Sequence, residues 1–270
     1  MKTEHLAEKI IAVSISLLLL LSHAPKVFAQ TDTIRIKDKR LLTSTLKPGL
    51  RQYLVYFQNT KDSHSLKFWL WLRDINLETR NGEKVCTVTQ HWYGGDSSTY
   101  RSIYSINKAT DFAPLYHSET IGKKTKAFNW ASDKIMSADT VANNEAKNFK
   151  LDFTFPNLNW NLDIETFEML PLAEGKSFAI PFYETGIPAP LYVFYKVIGG
   201  EVISTLDGKK VDCWKLYNES DYNGRHFTET YWISKKNREF LKEEDAFGGG
   251  YRYKIKMMGA ATNLLPRFVK

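Results

Sequence analysis

Residues 191–257 read LYVFYKVIGGEVISTLDGKKVDCWKLYNESDYNGRHFTETYWISKKNREFLKEEDAFGGGYRYKIKM, a series of short apolar runs divided by turn residues. The runs are rich in Val, Ile, Tyr, Phe and Trp, which favour strands. Asp207-Gly208 and Asn223-Gly224 can supply the positive φ angles of tight hairpins. Gly248-Gly249-Gly250 divides the last two runs. The stretch therefore predicts an antiparallel meander.

The same pattern occurs earlier in the chain, at an offset of 126 or 127 residues. The matching pairs are Thr79 with Thr205, Gly82 with Gly208, Val85 with Val211, and Cys86 with Cys213. Self-similarity at a fixed spacing is the sequence signature of a repeated structural unit. It predicts that residues 66–119 and 192–245 are two copies of one hairpin meander.

The two cysteines of the chain, Cys86 and Cys213, fall at equivalent places in these copies. In an oxidising compartment an even pair indicates a disulfide. Closing so long a loop would stabilise the fold by about 4–5 kcal/mol. The alternative is that both are buried as small hydrophobic side chains.

One short helix is predicted near the middle of the chain. Asp163 can cap it, while Ile164, Phe167 and Leu170 form one apolar face and Pro171 prevents its continuation. Residues 132–147 are a candidate for a second helical or irregular segment.

The N-terminus has the features of a cleavable signal peptide. Residues 10–21 form an apolar run interrupted by Ser14 and Ser16, too short for a membrane-spanning helix, and Val27-Phe28-Ala29 fits a cleavage site. We expect residues 1–29 to be removed, leaving a single β-rich domain at 30–270. An uncleaved anchor is the alternative. No cysteine follows the run, so we expect a periplasmic protein of a Gram-negative envelope, without a lipid anchor or a later transmembrane segment.

The chain carries a formal net charge of +7. Its basic residues are scattered, and the densest cluster is Lys123, Lys124 and Lys126. Nucleic-acid-binding proteins usually concentrate such residues in a stripe with aromatic side chains between them. Nucleic acid is therefore not an expected partner.

Two predicted strands are apolar on both faces: Phe68 to Leu72 and Leu191 to Tyr195. A half-buried strand would alternate apolar and polar residues, so both faces need a cover. The cover is either the helix at 164–170 or a ligand in an apolar groove. The candidate ligand-binding residues are Trp69, Trp71, Trp160, Phe167, Tyr192 and Phe194.

Several turn and packing motifs carry a family resemblance over roughly residues 46–258. They are Phe167-Glu168-Met169-Leu170-Pro171-Leu172, Gly199-Gly200-Glu201, Asp207-Gly208-Lys209-Lys210 and Tyr231-Trp232-Ile233-Ser234-Lys235-Lys236. Together they resemble the envelope family numbered 3108 among domains of unknown function, which is similar in architecture to periplasmic lipoprotein-carrier (LolA-like) proteins. The resemblance implies a mainly β fold: a curved antiparallel sheet or half-barrel, here built from two meander repeats with one or two short helices over one face.

Sequence motifs of catalysis and of cofactor binding are absent. The chain has no G-x-S-x-G, H-E-x-x-H or C-x-x-C motif and no nucleotide-binding glycine pattern. His117 and Glu119 would share a strand face, but no third metal ligand is evident. We therefore expect no catalytic residue, no metal and no cofactor.

These features favour a non-catalytic periplasmic carrier or binding protein for an apolar ligand such as a lipid or acyl chain. The second hypothesis is an envelope assembly module that binds another protein through an exposed sheet edge. A hydrolytic enzyme is the third, and it requires His117 or His226 beside a carboxylate and a hydroxyl group.

Overall fold

The computed structural model of the chain describes residues 31–222 and 224–259. The predicted signal peptide lies outside the described residues. Within them, no helix is long and apolar enough to cross a membrane. The described residues form a mainly β structure with one α-helix, which confirms the predicted fold class.

One open, curled sheet contains all the strands. They are β1 (Thr31–Thr33), β2 (Gly49–Asn59), β3 (Asp62–Arg80), β4 (Glu83–Tyr93), β5 (Arg101–Lys108), β6 (Pro114–Ile121), β7 (Lys124–Trp130), β8 (Lys134–Ser137), β9 (Lys150–Asp152), β10 (Leu158–Asn159), β11 (Ser177–Tyr183), β12 (Leu191–Ser204), β13 (Lys210–Tyr222), β14 (Arg225–Ser234), β15 (Phe240–Phe247) and β16 (Gly250–Met257). Their order is β1-β11-β12-β13-β14-β15-β16-β2-β3-β4-β5-β6-β7-β8-β9, and β10 also pairs with β11.

The meander predicted at 191–257 is present as β12 to β16, each strand antiparallel to the next. Gly208 has φ 78° and Gly224 has φ 71°, as tight hairpin turns require. Residues 66–119 and 192–245 each contain parts of four consecutive antiparallel strands, β3–β6 and β12–β15. Duplication as their origin stays a prediction. The segment 132–147 forms β8 and a series of turns and contains no helix.

The helix α1 (Asp163–Met169) packs on the concave face of the sheet. Its residues from Ile164 onward are all buried, and Phe167 lies in the main hydrophobic core. Asp163 is the first helical residue rather than the cap, and its Oδ1 accepts a hydrogen bond from the backbone N–H of Ile164. Leu170 is already extended, as expected for a residue before proline. A 3-10 turn at Trp160–Leu162 leads directly into α1.

Aromatic side chains connect regions near the two ends of the sheet. The Trp130 ring of β7 lies 5.6 Å from the Tyr183 ring of β11, between centroids. Phe153 contacts both rings. The curl of the sheet therefore brings β7 and β11 into contact through side chains, which leaves an interior that α1 fills in part.

Candidate functional site

A cavity of about 250 Å³ lies on the concave face, between the start of α1 and strands β3, β4, β14 and β16. Concave sites on a rigid scaffold are the usual places for small ligands. The lining residues are Trp71, Arg73, Trp92, Trp160, Asn161, Asp163, Glu184, Glu229, Tyr231, Arg252 and Lys254.

Three tryptophans form an aromatic wall. Trp71 and Trp92 are directly paired across β3 and β4, and their rings stack with centroids 4.0 Å apart. Lys254 Nζ lies 4.8 Å from the Trp71 ring centroid. Trp160 stacks on Phe182 at 5.6 Å. These contacts fix the rings, so the wall is pre-formed.

Buried ion pairs attach α1 to the sheet. Arg73 Nη2 lies 3.0 Å from Glu165 Oε2, and Arg51 Nη1 lies 2.6 Å from Glu168 Oε2. Glu168 Oε1 also accepts a hydrogen bond of 2.8 Å from the backbone N–H of Phe240. Burial nevertheless raises the pKa of Glu168, because Arg51 offsets only part of the desolvation. These contacts set the position of α1 and so the floor of the cavity.

A second charged group lies on the concave face of β15 and β16. Glu243 contacts Lys254, and its Oε1 accepts a 2.7 Å hydrogen bond from Arg252. Although burial opposes ionisation, Lys254 and Arg252 lower the pKa of Glu243 to about 2. Arg252 Nε also donates to Asp245 Oδ2 at 2.5 Å. Burial and the nearby Glu243 raise the pKa of Asp245 to about 9, so Asp245 is protonated at neutral pH.

Two lining carboxyl groups have no ion-pair partner among the described residues. Glu229 Oε2 accepts a 2.9 Å hydrogen bond from the Tyr231 hydroxyl, and no cation lies within 4 Å of it. Glu184, just after β11, likewise forms no ion pair within the part of the chain that the structure describes. Burial raises the pKa of both groups.

The structure brings together two of the six candidate binding residues, Trp71 and Trp160. Phe167 is fully buried in the core, where its ring contacts Tyr195 and Tyr231. Trp69 packs at the margin of the same core. Tyr192 stacks on Phe155 away from the cavity, and Phe194 is 62% exposed on the convex face. The apolar groove expected from these six residues is not formed, because α1 fills the apolar part of the concave face.

The structure does not form the predicted disulfide: Cys86 and Cys213 are both free and buried. Five strands separate β4 from β13 in the sheet order. Cys86 belongs to the main core, whereas Cys213 packs with Trp232 and Leu241 in a separate cluster. Trp214 packs against the main core, so its neighbour Cys213 faces the other side of the sheet. The sequence match between the cysteines contains a one-residue slip, and such a slip reverses the face of a strand residue.

His117 does not pair with Glu119. Its Nδ1 lies 3.0 Å from Ser105 Oγ and 3.1 Å from Asn159 Nδ2, and burial lowers the pKa of His117 to about 3. Glu119 forms an ion pair with Arg101 instead. His226 lies on an exposed hairpin beside Asp221. Neither histidine combines with both a carboxylate and a hydroxyl group among the contacts of the described residues.

Comparison with known families places the whole cavity within the region that one family model matches. The model of the family described as "Protein of unknown function (DUF3108)" matches residues 52–256. This chain belongs to that family. The DUF3108 match begins in β2 and ends in β16, so it includes every residue that lines the cavity.

A solved structure supports the fold of this DUF3108 protein. It is similar to the beta-barrel-like protein of domain of unknown function DUF1849 from Brucella abortus, at TM-score 0.50 and 9% identity, over 78% of this chain and 96% of that one. LprF from Mycobacterium bovis aligns less closely, at TM-score 0.27 and 9% identity, over 84% of this chain and 94% of that one. No curated protein matches the chain.

The charged residues in and beside the DUF3108 cavity were not predicted from the sequence. Arg252 and Lys254 are two residues apart on β16, as are Glu243 and Asp245 on β15. Spacing of two places charges on the same face of a strand. Charges at this spacing on two neighbouring strands were the signal that could have identified the site.

Proposed function

We propose that this DUF3108 protein is a non-catalytic binding or carrier protein of the periplasm that holds a small ligand in its concave cavity. The observation that carries the proposal is the cavity itself. It combines a pre-formed tryptophan wall with two carboxyl groups, Glu184 and Glu229, that form no ion pair within the described part of the chain. Such a combination is costly to maintain in an empty protein and favours a ligand that contacts both. The predicted signal peptide supports the periplasmic location.

The residues that line the cavity indicate which class of ligand can bind there. Six of the lining residues are charged: Arg73, Asp163, Glu184, Glu229, Arg252 and Lys254. An acyl chain there would desolvate these groups without forming hydrogen bonds, at a high energetic cost. The apolar ligand expected from the sequence is therefore replaced by an amphipathic one, with a flat apolar surface for the tryptophans and polar groups for the opposite wall.

Native mass spectrometry of the protein purified from a periplasm, without harsh detergent, tests this function. We expect a reproducible extra mass that organic or aqueous extraction releases. Trp92→Ala removes part of the aromatic wall and should abolish ligand retention while the circular dichroism spectrum stays unchanged. Phe194→Ala is the matched control, because Phe194 is an exposed aromatic residue of the convex face.

A folded Trp92→Ala protein that retains the ligand as well as the wild type would contradict the assignment of the cavity. A mass without any ligand in the wild type would count against the carrier function itself.

One observation favours envelope assembly as a second candidate function. Five large apolar side chains along β12 and its turn are well exposed: Leu191, Phe194, Ile198, Val202 and Leu206. Monomeric proteins seldom expose such a row without a partner. A ligand-free native mass together with a protein crosslinked to β12 in cells would favour this candidate over the carrier.

A further inference from the structure

The charges around the cavity are unequal. Three cations line it, and each already contacts a carboxyl group. Arg73 contacts Glu165, Arg252 contacts Glu243 and Asp245, and Lys254 contacts Glu243. The lining contributes three more carboxyl groups, those of Asp163, Glu184 and Glu229. Asp163 Oδ1 lies 3.6 Å from Arg73. Glu184 and Glu229 remain, without an ion pair among the described residues.

An unpaired carboxylate inside a protein is energetically costly, and a cation removes that cost. Burial raises the pKa of Glu184 and of Glu229, because Arg101 near Glu184 and Arg252 near Glu229 offset only part of the desolvation. With Asp245 protonated, five carboxyl groups remain around the three cations, and their charge leaves the cavity negative: Asp163, Glu165, Glu184, Glu229 and Glu243. Its electrostatics therefore favour a positively charged ligand over a neutral or anionic one.

We infer that the cavity takes an organic cation, whose ammonium or guanidinium group pairs with the carboxyl groups of the lining, at Glu184 or Glu229. This inference rests on the proposed binding function and names its ligand class. The tryptophan wall fits the same ligand, since cations and the planar groups attached to them bind well to indole. A free amine and the amine headgroup of a lipid both present this chemistry.

Isothermal titration calorimetry with three probes of one shape tests the inference at neutral pH. Tyramine is a cation, tyrosol is neutral, and 3-(4-hydroxyphenyl)propionate is an anion, and all three carry the same hydroxyphenyl group. We expect tyramine to bind at least about tenfold more tightly than tyrosol, and the anion to bind more weakly than both.

The Glu184→Gln/Glu229→Gln variant should lose roughly ten- to a hundredfold of the tyramine affinity while tyrosol binding stays unchanged. Glu219→Gln is the control: Glu219 is an exposed carboxylate of β13 that pairs with Lys196 on the convex side. If the double variant does not fold, Glu184→Gln alone provides the same test, because Glu184 is only partly buried.

Equal affinity for tyramine and tyrosol would overturn the inference. So would a neutral or anionic ligand in the native mass spectrum, although that result would leave the proposed binding function intact. If none of the three probes binds and the native mass spectrum shows no ligand, both the inference and the proposed binding function are overturned. When a cationic ligand is found, its extraction into organic solvent identifies a lipid headgroup, and its recovery in water identifies a free amine.

Discussion

Two groups of charged residues share the concave face, and they differ in how completely their charges are paired. The α1 cluster consists of Arg51, Arg73, Glu165 and Glu168, and each of its carboxylates contacts an arginine. The β14–β16 cluster consists of Glu229, Glu243, Asp245, Arg252 and Lys254. In this second cluster three carboxyl groups share two cations.

The difference separates a structural role from a functional one. Matched pairs fix the position of α1, and their removal would expose an uncompensated buried charge. The mismatch beside the cavity is an energetic cost of the kind that binding sites often carry. Substitutions in the α1 cluster should therefore destabilise the fold, and substitutions in the β14–β16 cluster should change ligand binding and pH dependence.

The largest expected change in stability follows a substitution in the α1 cluster. Arg51→Met leaves Glu168 buried without its cation, and we expect the free energy of unfolding to fall by about 3–5 kcal/mol. Urea denaturation measures this change. The double variant Arg51→Met/Glu168→Leu should recover most of the loss, since no charge then remains buried. A loss below about 1 kcal/mol in the single variant would show that this pair does not hold α1.

An intermediate effect, dependent on pH, is expected at Asp245. Its pKa of about 9 lies above the value of an unfolded aspartate, so the native protein keeps a proton that the unfolded chain releases above about pH 4. This contribution therefore destabilises the native state progressively as the pH rises towards 9. Asp245→Asn mimics the protonated form, and we expect it to raise the free energy of unfolding at pH 8 by about 1–3 kcal/mol, with little change at pH 4.

Denaturation at pH 4 and pH 8 measures this difference. Glu244→Gln is the matched control, because Glu244 is the next residue of β15 and faces the other side of the sheet. An Asp245→Asn protein whose stability parallels the wild type at both pH values would contradict the protonated state of Asp245.

The smallest expected change in stability is at Glu229. Glu229→Gln removes a carboxylate without an ion-pair partner, so we expect a gain of about 0.5–1 kcal/mol in the free energy of unfolding at neutral pH. Glu165→Gln, an equivalent change in the α1 cluster, should lower it instead. Thermal denaturation of the two variants side by side measures the opposite signs. Destabilisation by both changes would show that the two clusters do not differ in role.

The meander and α1 could be predicted because their signals are local. A strand is recognised within a few residues, and Gly208 in its hairpin requires only its own backbone conformation. The end of α1 at Pro171 likewise depends on one residue and its neighbour. These features depend on local sequence and not on contacts with distant parts of the chain.

The candidate site could be predicted only in part. Trp71 and Trp160 were identified because large aromatic residues in apolar runs indicate an interior. Phe194 has the same local pattern and lies on the convex face, because its neighbours Val193 and Tyr195 take the places in the core. When a strand is apolar on both faces, its sequence does not indicate which face the rest of the protein will cover.

The sequence by itself determined the strands, the turns, the short helix and the absence of known catalytic motifs, because each depends on neighbouring residues. The tertiary structure alone decided which charges meet: Arg73 pairs with Glu165 across 92 positions of the chain, and Glu229 forms no ion pair with any residue that the structure describes. Pairing of this kind depends on strand order and on the face each residue takes. A one-residue slip, as between Cys86 and Cys213, is enough to reverse that face.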